Sequence, residues 1–250
     1  MMFFPGAVQA VLIMLLWLAE LCGRVGWWAP SPTVIPSTWA HAFLMLYGLF
    51  PFFIFGFLLT VYPRWMGGTV VPASRYVAAF AFLAAGMILF YAGLFTSHLV
   101  LAAALALQLA GWGVTLHALL TVFLQSPKRG PHERLLNLAL AAGMLGIACF
   151  LVGVFSGAPM AFLLARELGL WLFLVPVVFL VAHRMIPFFS QSALINYIMV
   201  RPAWGPSVMA SGTRASTWSK VRVRNCRGLS LSGFFLADMA MRFEWIFDMA

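Results

Sequence analysis

Residues 98–116 read HLVLAAALALQLAGWGVTL, nineteen positions without a Lys, Arg, Asp or Glu. As a helix rising about 1.5 Å per residue this run covers about 28 Å, close to the hydrocarbon thickness of a bilayer. A membrane strand would alternate polar and apolar positions, and here they do not alternate. Lipid offers backbone groups no partners, so an unbroken apolar run of this length pairs them internally as a helix. Working outward, five more stretches have the same character, and the set lies at roughly 3–22, 42–62, 76–95, 98–124, 135–156 and 161–182. The expected fold class is all-α, a polytopic transmembrane helix bundle of about six spans.

Composition agrees. The chain of 250 residues is 64% hydrophobic and 8% charged, with a mean hydropathy of +0.99. Soluble domains carry about 25% charged residues, and disordered chains are poor in apolar ones, so both classes are excluded. The net charge of +9 is unevenly placed: residues 1–200 carry eight Lys+Arg and three Asp+Glu, whereas 201–250 carry seven and three. No aromatic-basic platform accompanies the charge, and the lipid bilayer rather than nucleic acid is the expected partner. Cys22, Cys149 and Cys226 form neither a disulfide framework nor a zinc pattern.

Residues 1–200 therefore read as the transmembrane domain and 201–250 as a basic tail. The break after Val200 is abrupt. One reading of the tail is a cytoplasmic segment ending on the membrane surface; the favoured one is a shift of reading frame. Arg64, Arg75, Lys128, Arg129 and Arg134 lie in the second and fourth loops, against Arg24 and Arg166 in the others. Because Lys and Arg stay on the cytoplasmic side, the N-terminus is expected there. Thr96-Ser97 is short enough to demand a tight hairpin between the third and fourth spans. Ala139 with Gly143, and Ala142 with Gly146, are expected to let the fifth span approach a neighbour closely.

Ionisable groups at membrane depth are functional candidates by default. On this orientation His41 and His98 lie at the outer ends of their spans and His117 and His183 toward the inner side, with Arg184 beside His183. His98 and His117, about 28 Å apart along one helix, cannot share a site. His132, in the loop SPKRGPHER, reads as solvated. The fourteen methionines read as packing, and Arg166-Glu167 as a surface pair.

Four blocks carry a family resemblance: His41-Ala-Phe-Leu-Met45-Leu-Tyr-Gly48, Gly56-Phe-Leu-Leu-Thr60, Pro63-Arg-Trp65-Met-Gly67 and Arg184-Met-Ile-Pro187-Phe-Phe189. Together with Phe3-Phe4-Pro5 they resemble the NnrS family of bacterial membrane proteins. The resemblance implies a multi-pass protein of the bacterial cytoplasmic (inner) membrane, of about twelve helices, that binds haem and copper and takes part in nitric oxide metabolism and the nitrosative stress response. It points to His41, His183 and Arg184 for cofactor binding and to His41 and Met45 for metal, while His98 and His117 are cofactor-binding candidates from their place at membrane depth. The family's helix-two pattern, His-x-His-Glu-Met, has Phe43 and Leu44 here in place of the second His and the Glu. The family's later helices have no counterpart after Val200 in this reading, which leaves room for a helix-bundle partner chain. The alternatives are a transporter or permease for a small anion that uses the same residues, and a truncated, non-functional fragment. No nucleophile-base pair or phosphate loop supports an enzyme reading.

Overall fold

A computed structural model describes residues 2–28, 32–127 and 129–193. Among them six helices are long and apolar enough to cross a membrane: α1 (Phe3–Arg24), α2 (Ser37–Met66), α3 (Ala73–Thr96), α4 (His98–Gln125), α5 (Pro131–Ser156) and α6 (Pro159–Ile186). No described residue is in a strand. The chain divides into two compact units, Met1–Ile186 and Pro187–Ala250, and the bundle is the first of them. The expected tail, 201–250, lies outside the described residues.

The helices run past the apolar edges that the sequence marks, because a backbone continues its own hydrogen bonding through the interface until a residue stops it. Proline performs that function at the starts: Pro131 and Pro159 sit in the first turns of α5 and α6, where the missing N–H costs nothing. Gly67 (φ +58°) and Gly157 (φ +66°) end α2 and α5 in left-handed conformation. Ser97 alone joins α3 to α4, its hydroxyl accepting from the Val100 N–H at 3.3 Å. In this hairpin Gly93 comes so close to Leu101 that a Cβ would stand 2.6 Å from its backbone nitrogen.

Two helices are interrupted in the same way. Leu44–Leu49 within α2 and Leu168–Leu174 within α6 are π-helical. Each is followed two residues later by a proline, Pro51 and Pro176. A proline inside a helix cannot donate to the carbonyl four residues back and its ring crowds that carbonyl, so the preceding turn widens. The two wide turns face each other through Tyr47, whose hydroxyl donates to the Ala165 carbonyl at 2.6 Å and whose ring stacks on Phe173 at 6.5 Å.

Around Tyr47 lies the core, a run of aromatic rings including Phe43, Phe90, Trp112, Phe150 and Phe173. Gly143 and Gly146 are bare so that rings fit: a Cβ on the first would meet Trp112, and on the second the Tyr47 hydroxyl. The small residues of α5 thus receive aromatic side chains more than a neighbouring backbone. Trp112 donates its indole N–H to the Leu140 carbonyl at 2.8 Å, and Gln108 donates to the Leu83 carbonyl at 3.0 Å. α1 is peripheral, attached by buried Gln9, whose amide donates to the Met87 sulfur at 3.2 Å.

The bundle has two ends. Glu20, Ser37, His41 and Phe95 meet at one, called here the His41 end. Trp65, Glu133 and Arg184 meet at the other, the His183 end.

Candidate functional site

At the His183 end, α5 begins with Pro131, which places His132 and Glu133 in its first turn, where a carboxylate suits the helix dipole. Glu133, its side chain 10% exposed, accepts a hydrogen bond from Arg184 of α6 in a partly buried ion pair. The same guanidinium lies 4.6 Å over the Trp65 ring and donates to the Trp65 carbonyl at 3.4 Å, near the end of α2. One arginine therefore joins three helices. One residue back on each helix, His132 Nε2 faces His183 Nδ1 at 3.2 Å, and the His183 ring stacks on Phe179. One turn deeper, Asn137 donates to the Tyr62 hydroxyl at 2.8 Å and to the Glu133 carbonyl at 2.9 Å. Its buried Oδ1 has no partner among the described residues. Trp65, His132, Glu133 and Arg184 border a cleft of about 10 Å³.

At the His41 end a cavity of about 130 Å³ lies among Trp17, Glu20, Trp28, Ser37, His41 and Leu94. The His41 ring stacks on Trp17 with centroids 4.2 Å apart. Glu20 Oε1 accepts from the Ser37 hydroxyl at 2.7 Å and from Arg24 at 3.1 Å, and Arg24 also donates to Ser37 at 3.0 Å. The Val34 N–H donates to the Leu94 carbonyl at 2.9 Å, so the α1–α2 connection is held against the end of α3. Arg166 donates to Glu167 at 2.9 Å and lies 5.9 Å over Trp39. Both arginines of this end are thereby paired.

The sequence candidates do not converge. His41 and His183 stand at opposite ends of the bundle and cannot bind one ion together. Met45 is half-buried on α2, one turn beyond His41. His98 and His117 are exposed on α4. No three His, Cys, Asp or Glu side chains come together to hold a metal ion among the described residues. Arg184 has Glu133 as its carboxylate partner. Sequence reasoning passes over Glu133, Asn137 and Tyr62 and leaves His132 to solvent. A signal is present: His132-Glu133 and His183-Arg184 are dipeptides of matching order and complementary charge, yet nothing local says that residues fifty-one positions apart meet.

Comparison with protein families finds a match to the model described as NnrS protein, over residues 1–243. The match therefore runs on through most of the basic segment after Val200. Neither the curated proteins nor the solved structures contain a match.

Proposed function

The chain belongs to the NnrS family, and we propose on that premise that it is a haem- and copper-binding protein of the bacterial inner membrane, acting in nitric oxide metabolism or the nitrosative stress response. What carries the reading is a family match over nearly the whole chain, on a six-span bundle of the expected kind. The N-terminus and the His183 end face the cytoplasm in this proposal, in line with the loop arginines.

The donors suit copper better than they suit an enclosed haem. His41 and Met45 supply one imidazole and one thioether from adjacent turns, a donor set that matches a soft or borderline ion. A cavity of about 130 Å³ is smaller than the roughly 300–1,000 Å³ of pockets that enclose a drug-sized ligand, so a haem does not fit beside His41. A haem on this chain would lie against an exposed face, where the imidazoles of His98 and His117 stand. Bound iron or copper would supply the redox chemistry and a position for nitric oxide. The chain's part is to offer donors and to hold them in apolar surroundings, with Arg184 kept in place by Glu133 and Trp65.

An optical spectrum of the detergent-purified protein, with metal analysis, tests the reading. A Soret band that bleaches or shifts in His98→Ala, His117→Ala or His183→Ala supports it and locates the haem ligand, and loss of copper in His41→Ala locates the metal. Colourless protein without copper, prepared from cells supplied with both, would sink it.

A further inference from the structure

We propose that the cavity at the His41 end receives the headgroup of an ethanolamine phospholipid, the ammonium on Glu20 and the phosphate on Arg24, separately from any metal at His41. The observation is an ion pair with one bonding position left over on each partner. Glu20 gives only Oε1 to its neighbours, the Ser37 hydroxyl at 2.7 Å and Arg24 Nε at 3.1 Å, so Oε2 is an acceptor without a hydrogen bond among the described residues. Arg24 uses Nε and Nη2, the latter on Ser37 at 3.0 Å and Thr38 at 3.5 Å, which leaves Nη1 as a donor. A spare carboxylate oxygen beside a spare guanidinium nitrogen complements a zwitterion. Neither residue has to give up the other to bind one.

The cavity decides which end of the zwitterion goes in. Glu20 lines it, with its side chain 18% exposed, whereas the Arg24 side chain is 46% exposed and does not line it. Thr33 and Ser37 also line it, and each has already donated its hydroxyl proton, to the Ile35 carbonyl at 2.8 Å and to Glu20. These walls therefore offer acceptors, which suits an ammonium with three N–H donors and not a phosphate. A cavity of about 150 Å³ holds a benzene molecule, so about 130 Å³ takes the two carbons and one nitrogen of an aminoethyl group. A choline headgroup has no N–H to donate there, and a glycerol headgroup has no cation. Trp28 and Phe95 border the cavity half-exposed, and Trp27 beside them is exposed. Tryptophans gather at headgroup level, which puts Arg24 where a lipid phosphate lies. The walls are set in advance: Arg24 lies 5.3 Å over Trp17, and the Val34 N–H ties the connection to Leu94. Such preorganisation lowers the ordering cost of binding.

Native mass spectrometry of the full-length protein in detergent tests the site, by titration with lipids of one chain length: phosphatidylethanolamine, its N,N-dimethyl derivative, phosphatidylcholine and phosphatidylglycerol. The expected result is one tightly held phosphatidylethanolamine, with affinity falling stepwise as N–H groups are replaced by methyl groups and about tenfold or more below it for the choline and glycerol lipids. Glu20→Gln and Arg24→Gln should each weaken phosphatidylethanolamine about 10–100-fold, and Arg166→Gln, at the same end but away from the cavity, should not. Equal retention of the ethanolamine and choline lipids, or unchanged binding in both of the first two variants, overturns the proposal. So does binding of water-soluble phosphoethanolamine by a protein that does not retain the lipid, since the site would then serve a dissolved zwitterion. If the variants do not fold, the lipid series on the unsubstituted protein decides, and a flat series counts against the site. Metal and haem content enter none of these readouts, so a colourless, copper-free protein would remove the haem and copper reading and leave this one standing.

Discussion

Tyr47 shows how much one side chain decides in this bundle. Its hydroxyl reaches the Ala165 carbonyl, and the absence of a side chain at Gly146 is what makes room for it. In water such a bond nets about 1 kcal/mol, and between membrane helices about 0.6, because the alternative partners differ little. Tyr47→Phe should therefore destabilise the protein by about 0.6 kcal/mol in urea or SDS unfolding from mixed micelles. Gly146→Ala drives a methyl group into the hydroxyl and should cost more, about 1–3 kcal/mol. The double variant should be less unstable than the sum of the two, because Phe at position 47 removes the atom that the new methyl meets. Strict additivity would show that the contact does not set the packing.

Among the elements, α2 and α6 each widen one turn ahead of a proline, and those turns meet. The cause is local and the consequence is not, since an extra residue in a turn rotates everything that follows it. Pro51→Ala restores an N–H able to donate to the Tyr47 carbonyl. Protection of the 44–50 amides in hydrogen exchange should then rise about tenfold, corresponding to about 1.4 kcal/mol. Unchanged exchange would mean that tertiary packing, not the proline, holds the turn open. The α5–α6 junction gives a second test at this scale. Arg184→Leu leaves the Glu133 carboxyl partly buried without its partner, a loss of about 3–5 kcal/mol when such a pair is broken. Changing Glu133 to Leu as well should recover most of that stability in the same unfolding measurement. No recovery would show that the arginine acts chiefly through Trp65.

For the whole molecule the distribution of charge between the ends is the governing quantity. At the His41 end Arg24 and Arg166 are each paired with a carboxylate on their own helix. At the other end Arg64, Arg75, Arg129 and Arg134 accompany the Glu133–Arg184 pair, so the positive charge gathers there. A reporter fused after Gln125 should be active in the cytoplasm and one fused at Ser97 outside it. The reverse pattern would invert the proposed orientation.

Six spans, their all-α character and their order could be read directly from the sequence, because lipid imposes one requirement on every residue of a span and that requirement is visible in composition. The NnrS resemblance was equally legible, carried by contiguous blocks such as Pro63-Arg-Trp65-Met-Gly67. Pairings between helices were not. His132 looks like a loop residue because the apolar run begins after it, yet Pro131 starts the helix earlier and turns the imidazole toward α6. Gly143 and Gly146 look like a helix–helix seam and instead hold aromatic rings from three other helices. A bilayer selects for apolar surface without specifying which faces meet, so only side-chain volumes and hydrogen bonds across the bundle decide that His41 faces Trp17 and His183 faces His132.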